Sequence, residues 1–112
     1  MTTLSTHILD LSSGTPASGV TVRLEYWQNP GWEILGRGQT DVHGRLTGLT
    51  SQPLTEGRYR LVAETGAWFA QRDLATLFPC AQIDFALGAQ PDPHYHLPFL
   101  IAPGGWSTYR GS

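Results

Sequence analysis

Apolar and polar residues alternate with a period near two over much of this chain. In LSTHILDL, Leu4, Thr6 and Ile8 fall on one side, and Ser5, His7 and Leu9 on the other. In VTVRLEYW, Val20, Val22, Leu24 and Tyr26 stand against Thr21, Arg23, Glu25 and Trp27. Successive side chains of a strand point to opposite faces, so both stretches read as half-buried strands. SSGTPASG, with its glycines and Pro16, separates them. QNPG and DVHG read as turns flanking a strand in WEILGRGQT. RLTGLT, RYRLVAET, AQIDFAL, HYHLPFLIA and WSTYRG read as further strands. GAWFAQRDLATLF departs from this period. Its Trp68, Phe69, Arg72, Leu74 and Ala75 suit a short helix, with Pro79 as the outer limit. Short strands spaced by Gly/Pro turns, with one helical excursion, predict an all-β fold built as an antiparallel sandwich. No repeat or low-complexity linker interrupts the pattern, so residues 1–112 are expected to form one domain.

Composition narrows the function classes. With 112 residues and 40% hydrophobic content, the chain can support a core. Its net charge is −2, and no basic patch or charge run invites nucleic acid. No apolar stretch approaches the ~20 residues of a membrane helix. MTTLSTHILD lacks a basic segment followed by an apolar one, so no signal peptide is expected. The lone Cys80 cannot form an internal disulfide, which agrees with a reducing compartment, and a cytoplasmic location is expected.

Candidate chemistry rests on four histidines. His7 lies opposite the apolar side of its strand. In HYHLPFL, Tyr95, Leu97 and Phe99 make one face, and His94, His96, Pro98 and Leu100 the other. In WSTYRGS, Trp106 and Thr108 share one face, and Ser107 and Tyr109 the other. Three strands therefore present His, His and Tyr away from the core. His94 and His96, two apart on a strand, could share an ion. CxxC and HExxH spacings are absent and no carboxylate stands beside the pair, so no metal site is expected. Cys80, beside the helix exit, reads as inert. A serine nucleophile would lack its Gly-x-Ser-x-Gly elbow. His43 reads as a surface turn residue, and so does Arg45 when taken alone.

LSTHILD, the turn DVHGR and the ending HYHLPFLIAPGGWSTYRGS together resemble the transthyretin-related 5-hydroxyisourate hydrolases. The resemblance covers essentially the whole chain, and YRGS is its most specific part. The resemblance implies two four-stranded sheets with one short helix, assembled as a homotetramer with active sites in a channel between dimers. It implies hydrolysis of a purine derivative, 5-hydroxyisourate, without a cofactor. Carried over position by position, it assigns catalysis to His7, Arg45, His96 and Ser112, and substrate binding to His7, Arg45 and Tyr109. His94 reads either as structural or as a neighbour supporting the site, and its role stays open. Which histidine activates water stays open at this point. PGGW departs from the short turn common in the family and leaves the contacts of Trp106 open. Transthyretin shares the fold, so a small-ligand carrier without catalysis is the alternative reading, and a non-catalytic sandwich module is a third.

Overall fold

One strand, β1 (Thr3–Asp10), organises the sheet that carries His7, Arg45 and His96. The computed structural model describes residues Met1–Ser112. Along one edge β1 pairs antiparallel with β2 (Thr15–Pro16) and β5 (Arg45–Thr47). Along the other it pairs parallel with β8 (His94–His96) and β9 (Phe99–Ala102). β10 (Gly105–Thr108) lies antiparallel beyond β9. HYHLPFLIA, expected as one strand, is divided at Leu97–Pro98. Pro98 has no N–H to give the ladder. Leu97 N still donates to Ser5 O at 3.0 Å, and the Thr108 hydroxyl donates to Pro98 O at 2.7 Å. Six segments thus occupy four positions across the sheet. The facing sheet has the order β4 (Gly31–Gln39), β3 (Thr21–Gln28), β6 (Gly57–Ala63), β7 (Ala81–Leu87), every pair antiparallel.

The alternation in the sequence becomes the core. Leu4, Thr6 and Ile8 of β1 are buried, as are Val22 and Leu24 of β3, Leu61 of β6 and Phe99 of β9. Side chains from the two inner faces interdigitate, as in sheet-on-sheet packing generally. The helix α1 (Thr65–Ala70) adds buried Trp68 and Phe69, and Trp68 Nε1 donates to Ser18 O at 2.8 Å. It is shorter than the periodicity of GAWFAQRDLATLF predicts. After Ala70 the N–H groups of Arg72 and Leu74 turn back to Phe69 O, and Asp73 takes φ 58. Aspartate tolerates that left-handed conformation better than most residues. Leu74 and Ala75 are therefore exposed outside the helix.

Glu25 breaks the alternation of β3. It lies on the outer side, beside an irregularity in the β3–β4 pairing, yet is only 4% exposed. Arg23 Nε donates to Glu25 Oε2 at 2.6 Å, and Arg60 donates to Oε1. The Arg60 guanidinium rests 4.1 Å from the centre of the Trp32 ring. Burial pushes the Glu25 carboxyl up, but hydrogen bonds and charge from the two arginines outweigh it, and it titrates below its ordinary 4.5. A carboxyl depressed on folding stabilises the fold above the unfolded-state value, and that stability is lost as pH falls through the folded one. Glu25→Gln is expected to destabilise by about 3 kcal/mol, the low end of the range for breaking a buried pair, because both arginines keep access to water. Chemical denaturation from pH 7 to pH 3 checks this. The difference between wild type and variant is present at neutral pH and shrinks below about pH 4.5. Asp10, whose carboxyl is also depressed, keeps an acid limb in both.

Candidate active site

The turn DVHG and the start of β5 set Arg45 beside His7. Asp41 Oδ1 accepts from the backbone N–H of His43 and of Arg45, both at 2.9 Å. The N–H of Arg45 first, and then that of His43, hold the Asp41 carboxyl below its ordinary value. Gly44 closes the turn at φ 75, and a Cβ there would meet Ile8 O at 2.5 Å. Only glycine fits this close approach at positive φ. Ile8 N donates to Gly44 O at 2.8 Å, which fixes the turn against β1. The resulting register pairs His7 directly with Arg45. The turn also aims the His43 carbonyl at His7 Nε2, 3.0 Å away. A carbonyl only accepts, so Nε2 carries the proton of the neutral ring and Nδ1 holds the lone pair.

On the other edge of β1, the parallel register pairs Ser5 with His96 and Thr3 with His94. Residues directly opposite in a sheet share a face, so His96, Ser5, His7 and Arg45 all stand on the outer face of this sheet. Strand geometry separates the Cα atoms of His7 and His96 by roughly 8 Å, a diagonal pair on one face. The Ser5 hydroxyl lies 2.8 Å from His96 Nδ1 and 2.9 Å from His94 Nε2. The Thr3 hydroxyl lies 2.6 Å from His94 Nδ1. His96 is held below the ordinary imidazole value, first by burial and then by repulsion between its charged form and those of His7, Arg45 and His94. It is therefore neutral at pH 7 and able to accept a proton.

The C-terminal segment closes onto this face. Gly111 N donates to His96 O at 2.8 Å. Arg110 pairs with Asp92, and its guanidinium sits 4.8 Å from the centre of the Tyr95 ring. The tail is thus anchored to β8 and to the loop before it. Tyr109 falls just beyond β10, not within a strand as WSTYRG predicts, and is 57% exposed. Ser112 is exposed as well. His7, Arg45 and His96 are brought together on one face, Gly111 reaches His96, and Tyr109 and Ser112 remain open to solvent. Trp106 packs on the edge of the core, with its ring centroid 6.1 Å from that of Phe99.

No group of three or more His, Cys, Asp or Glu side chains converges as an ion site. Of six surface clefts, five are lined by residues other than His7, Arg45, His96, Tyr109 and Ser112. In the single chain these residues form an open face. Sequence reading did not single out Ser5, Thr3 or Asp41. For Ser5 a signal existed, since it shares the parity of His7. The pairing of Ser5 with His96 depends on register, which parity does not encode.

The model of the HIUase/Transthyretin family matches residues 4–111. The chain is 42% identical over 110 residues to 5-hydroxyisourate hydrolase of Salmonella dublin, covering 97% of this chain and 80% of that protein. The solved 5-hydroxyisourate hydrolase of Klebsiella pneumoniae superposes with a TM-score of 0.90 at 57% identity, over 100% of both chains. Transthyretin from Sparus aurata superposes with a TM-score of 0.89 at 28% identity, over 96% of this chain and 95% of that one. By sequence and by fold, the chain belongs to the HIUase/Transthyretin family.

Proposed function

We propose that this chain, as one transthyretin-like domain, hydrolyses 5-hydroxyisourate to 2-oxo-4-hydroxy-4-carboxy-5-ureidoimidazoline in urate degradation. The observation that carries the reading is the gathering of His7, Arg45 and His96 on one sheet face, in a chain 57% identical to a solved 5-hydroxyisourate hydrolase. Opening the substrate ring means adding water across the bond between a carbonyl carbon and a ring nitrogen. That needs a base for the water, donors for the developing oxyanion and a proton for the leaving nitrogen. His96, neutral at pH 7, takes the water proton. His7 accepts a substrate or water N–H or O–H at Nδ1, its other nitrogen being engaged by the His43 carbonyl. Arg45 offers a planar fork of donors to the anionic heterocycle and its oxyanion. Tyr109 contacts the substrate, and Ser112 assists the water through its hydroxyl or carboxylate.

An open face does not exclude water, and a second dimer laid across it would supply the missing walls. The working form is therefore a homotetramer with the site between dimers, in the cytoplasm. Sedimentation at micromolar concentration is expected to give four chains per particle, and a fully active monomer would defeat the interface site. The direct test of function follows the ultraviolet decay of freshly generated 5-hydroxyisourate against its spontaneous rate. No acceleration sinks the reading and favours a transthyretin-like carrier. For the base, the pH profile is diagnostic. A base works above its own titration point, and burial with His7, Arg45 and His94 pushes that of His96 down. The acid limb of kcat/KM is expected below the ordinary imidazole value of 6.5, and a limb above it would argue against His96.

A further inference from the structure

The geometry points to a second set of working side chains, a hydrogen-bonded relay through Ser5, His94 and Thr3 that holds the His96 ring and clears its proton to solvent. This inference rests on the hydrolysis reading above. The relay has four members in unbroken contact: His96 Nδ1 to Ser5 Oγ at 2.8 Å, Ser5 Oγ to His94 Nε2 at 2.9 Å, and His94 Nδ1 to Thr3 Oγ1 at 2.6 Å. One hydroxyl between two imidazole nitrogens donates to one and accepts from the other. The whole row therefore has two self-consistent directions. In one, His96 Nδ1 is protonated and its Nε2 lone pair is free for water. In the other, Nδ1 accepts from Ser5 and Nε2 carries the proton. The inner end is half-buried at His96, while Thr3 and His94, paired at the start of β1 and away from His7, are exposed in the single chain.

The chemistry calls for such an exit. Hydrolysis of a cyclic amide to a carboxylate and a neutral ureido nitrogen consumes one water and releases one proton. One water proton goes to the leaving nitrogen and the other must depart. When His96 Nε2 takes a proton, its Nδ1 proton passes to Ser5 Oγ, the Ser5 proton to His94 Nε2, the His94 Nδ1 proton to the Thr3 hydroxyl, and the Thr3 proton to bulk water. Each group ends neutral, with every hydrogen bond reversed. An imidazolium at His96 beside Arg45, His7 and His94 is disfavoured, so passing the proton along is the less costly course. Ser5, His94 and Thr3 are positioning residues, acting through His96.

Ser5→Ala breaks the row at its centre, and Ser5→Thr restores the hydroxyl on a residue that suits a strand. With 5-hydroxyisourate, Ser5→Ala is expected to lower kcat by about 10- to 100-fold, less than loss of the base itself, with KM little changed. Ser5→Thr is expected to recover most of this. The solvent isotope effect on kcat, multi-proton in the wild type, should become smaller in Ser5→Ala. A readout independent of activity is the 15N signal of the His96 ring nitrogens. His94→Asn should shift it in the wild-type background and leave it unchanged in the Ser5→Ala background. Wild-type kcat in Ser5→Ala overturns the relay. So does equal loss in Ser5→Ala and Ser5→Thr, which marks packing alone, and so does a His94→Asn shift that persists without Ser5. If the wild type fails to hydrolyse 5-hydroxyisourate, the functional reading fails by itself, and the 15N experiment still decides whether Ser5 couples the two rings.

Discussion

His96→Asn is expected to lower turnover of 5-hydroxyisourate by roughly 10²–10⁴-fold, the usual cost of losing a general base. His7→Asn should fall in the same range if its Nδ1 orients the reacting water. Asparagine keeps a polar tip near each ring position but cannot take a proton at neutral pH. Folding should survive both changes. Neither ring enters the core, and the backbone of His96, which accepts from Gly111, is untouched by substitution. The expected pattern is an unchanged melting temperature with kcat/KM reduced. Near-normal turnover in both variants would remove the acid–base role from this face.

Much of the fold was legible because one physical signal dominates it. Burial of one side of a strand forces alternation, and Leu4–Thr6–Ile8, Val22–Leu24 and the AQIDFAL segment all carry it. The same parity put His7 and His96 away from the core, where the structure has them. What parity cannot encode is pairing. The parallel alignment of β1 with β8 and β9, and the two-residue β2, arise from long-range register. The Ser5–His94 and Ser5–His96 contacts follow from that register and were invisible before it. The helix was overestimated for a different reason. Trp68, Phe69, Arg72 and Leu74 carry helical spacing, yet the chain turns after Ala70, with Asp73 in the left-handed region and Arg72 folded back 3.6 Å from the centre of the Trp68 ring. Contact with the same partner can mimic periodicity. Arg45 was legible only through the family resemblance. Its place opposite His7 depends on how Gly44 packs against β1.

Deleting Tyr109–Ser112 is expected to cost at least about 10²-fold in turnover while leaving the fold intact. None of the four side chains belongs to the core, and the Arg110–Asp92 pair is well exposed at both ends, the kind of pair worth roughly 0–1 kcal/mol. What the tail loses with deletion is its grip on the site. The Gly111 N–H no longer fixes the His96 carbonyl and Arg110 leaves Tyr95, and the substrate contacts proposed for Tyr109 and Ser112 go with them. Gly111→Ala tests the same idea with one methyl group. A Cβ at Gly111 would stand 2.6 Å from His96 Cδ2 and 3.1 Å from His96 O. The ring is held from its far side by the Ser5 hydroxyl, so either the ring leaves Ser5 or the tail lifts. A displacement of about one ångström is enough to cost roughly 10²-fold when groups must meet a reacting atom. Arg110→Ala should be milder, because the Gly111 hydrogen bond remains. The order expected in kcat is wild type, then Arg110→Ala, then Gly111→Ala, then the deletion, at similar melting temperatures. A folded deletion variant with wild-type turnover would separate the tail from the chemistry and leave His7, Arg45 and His96 to act alone.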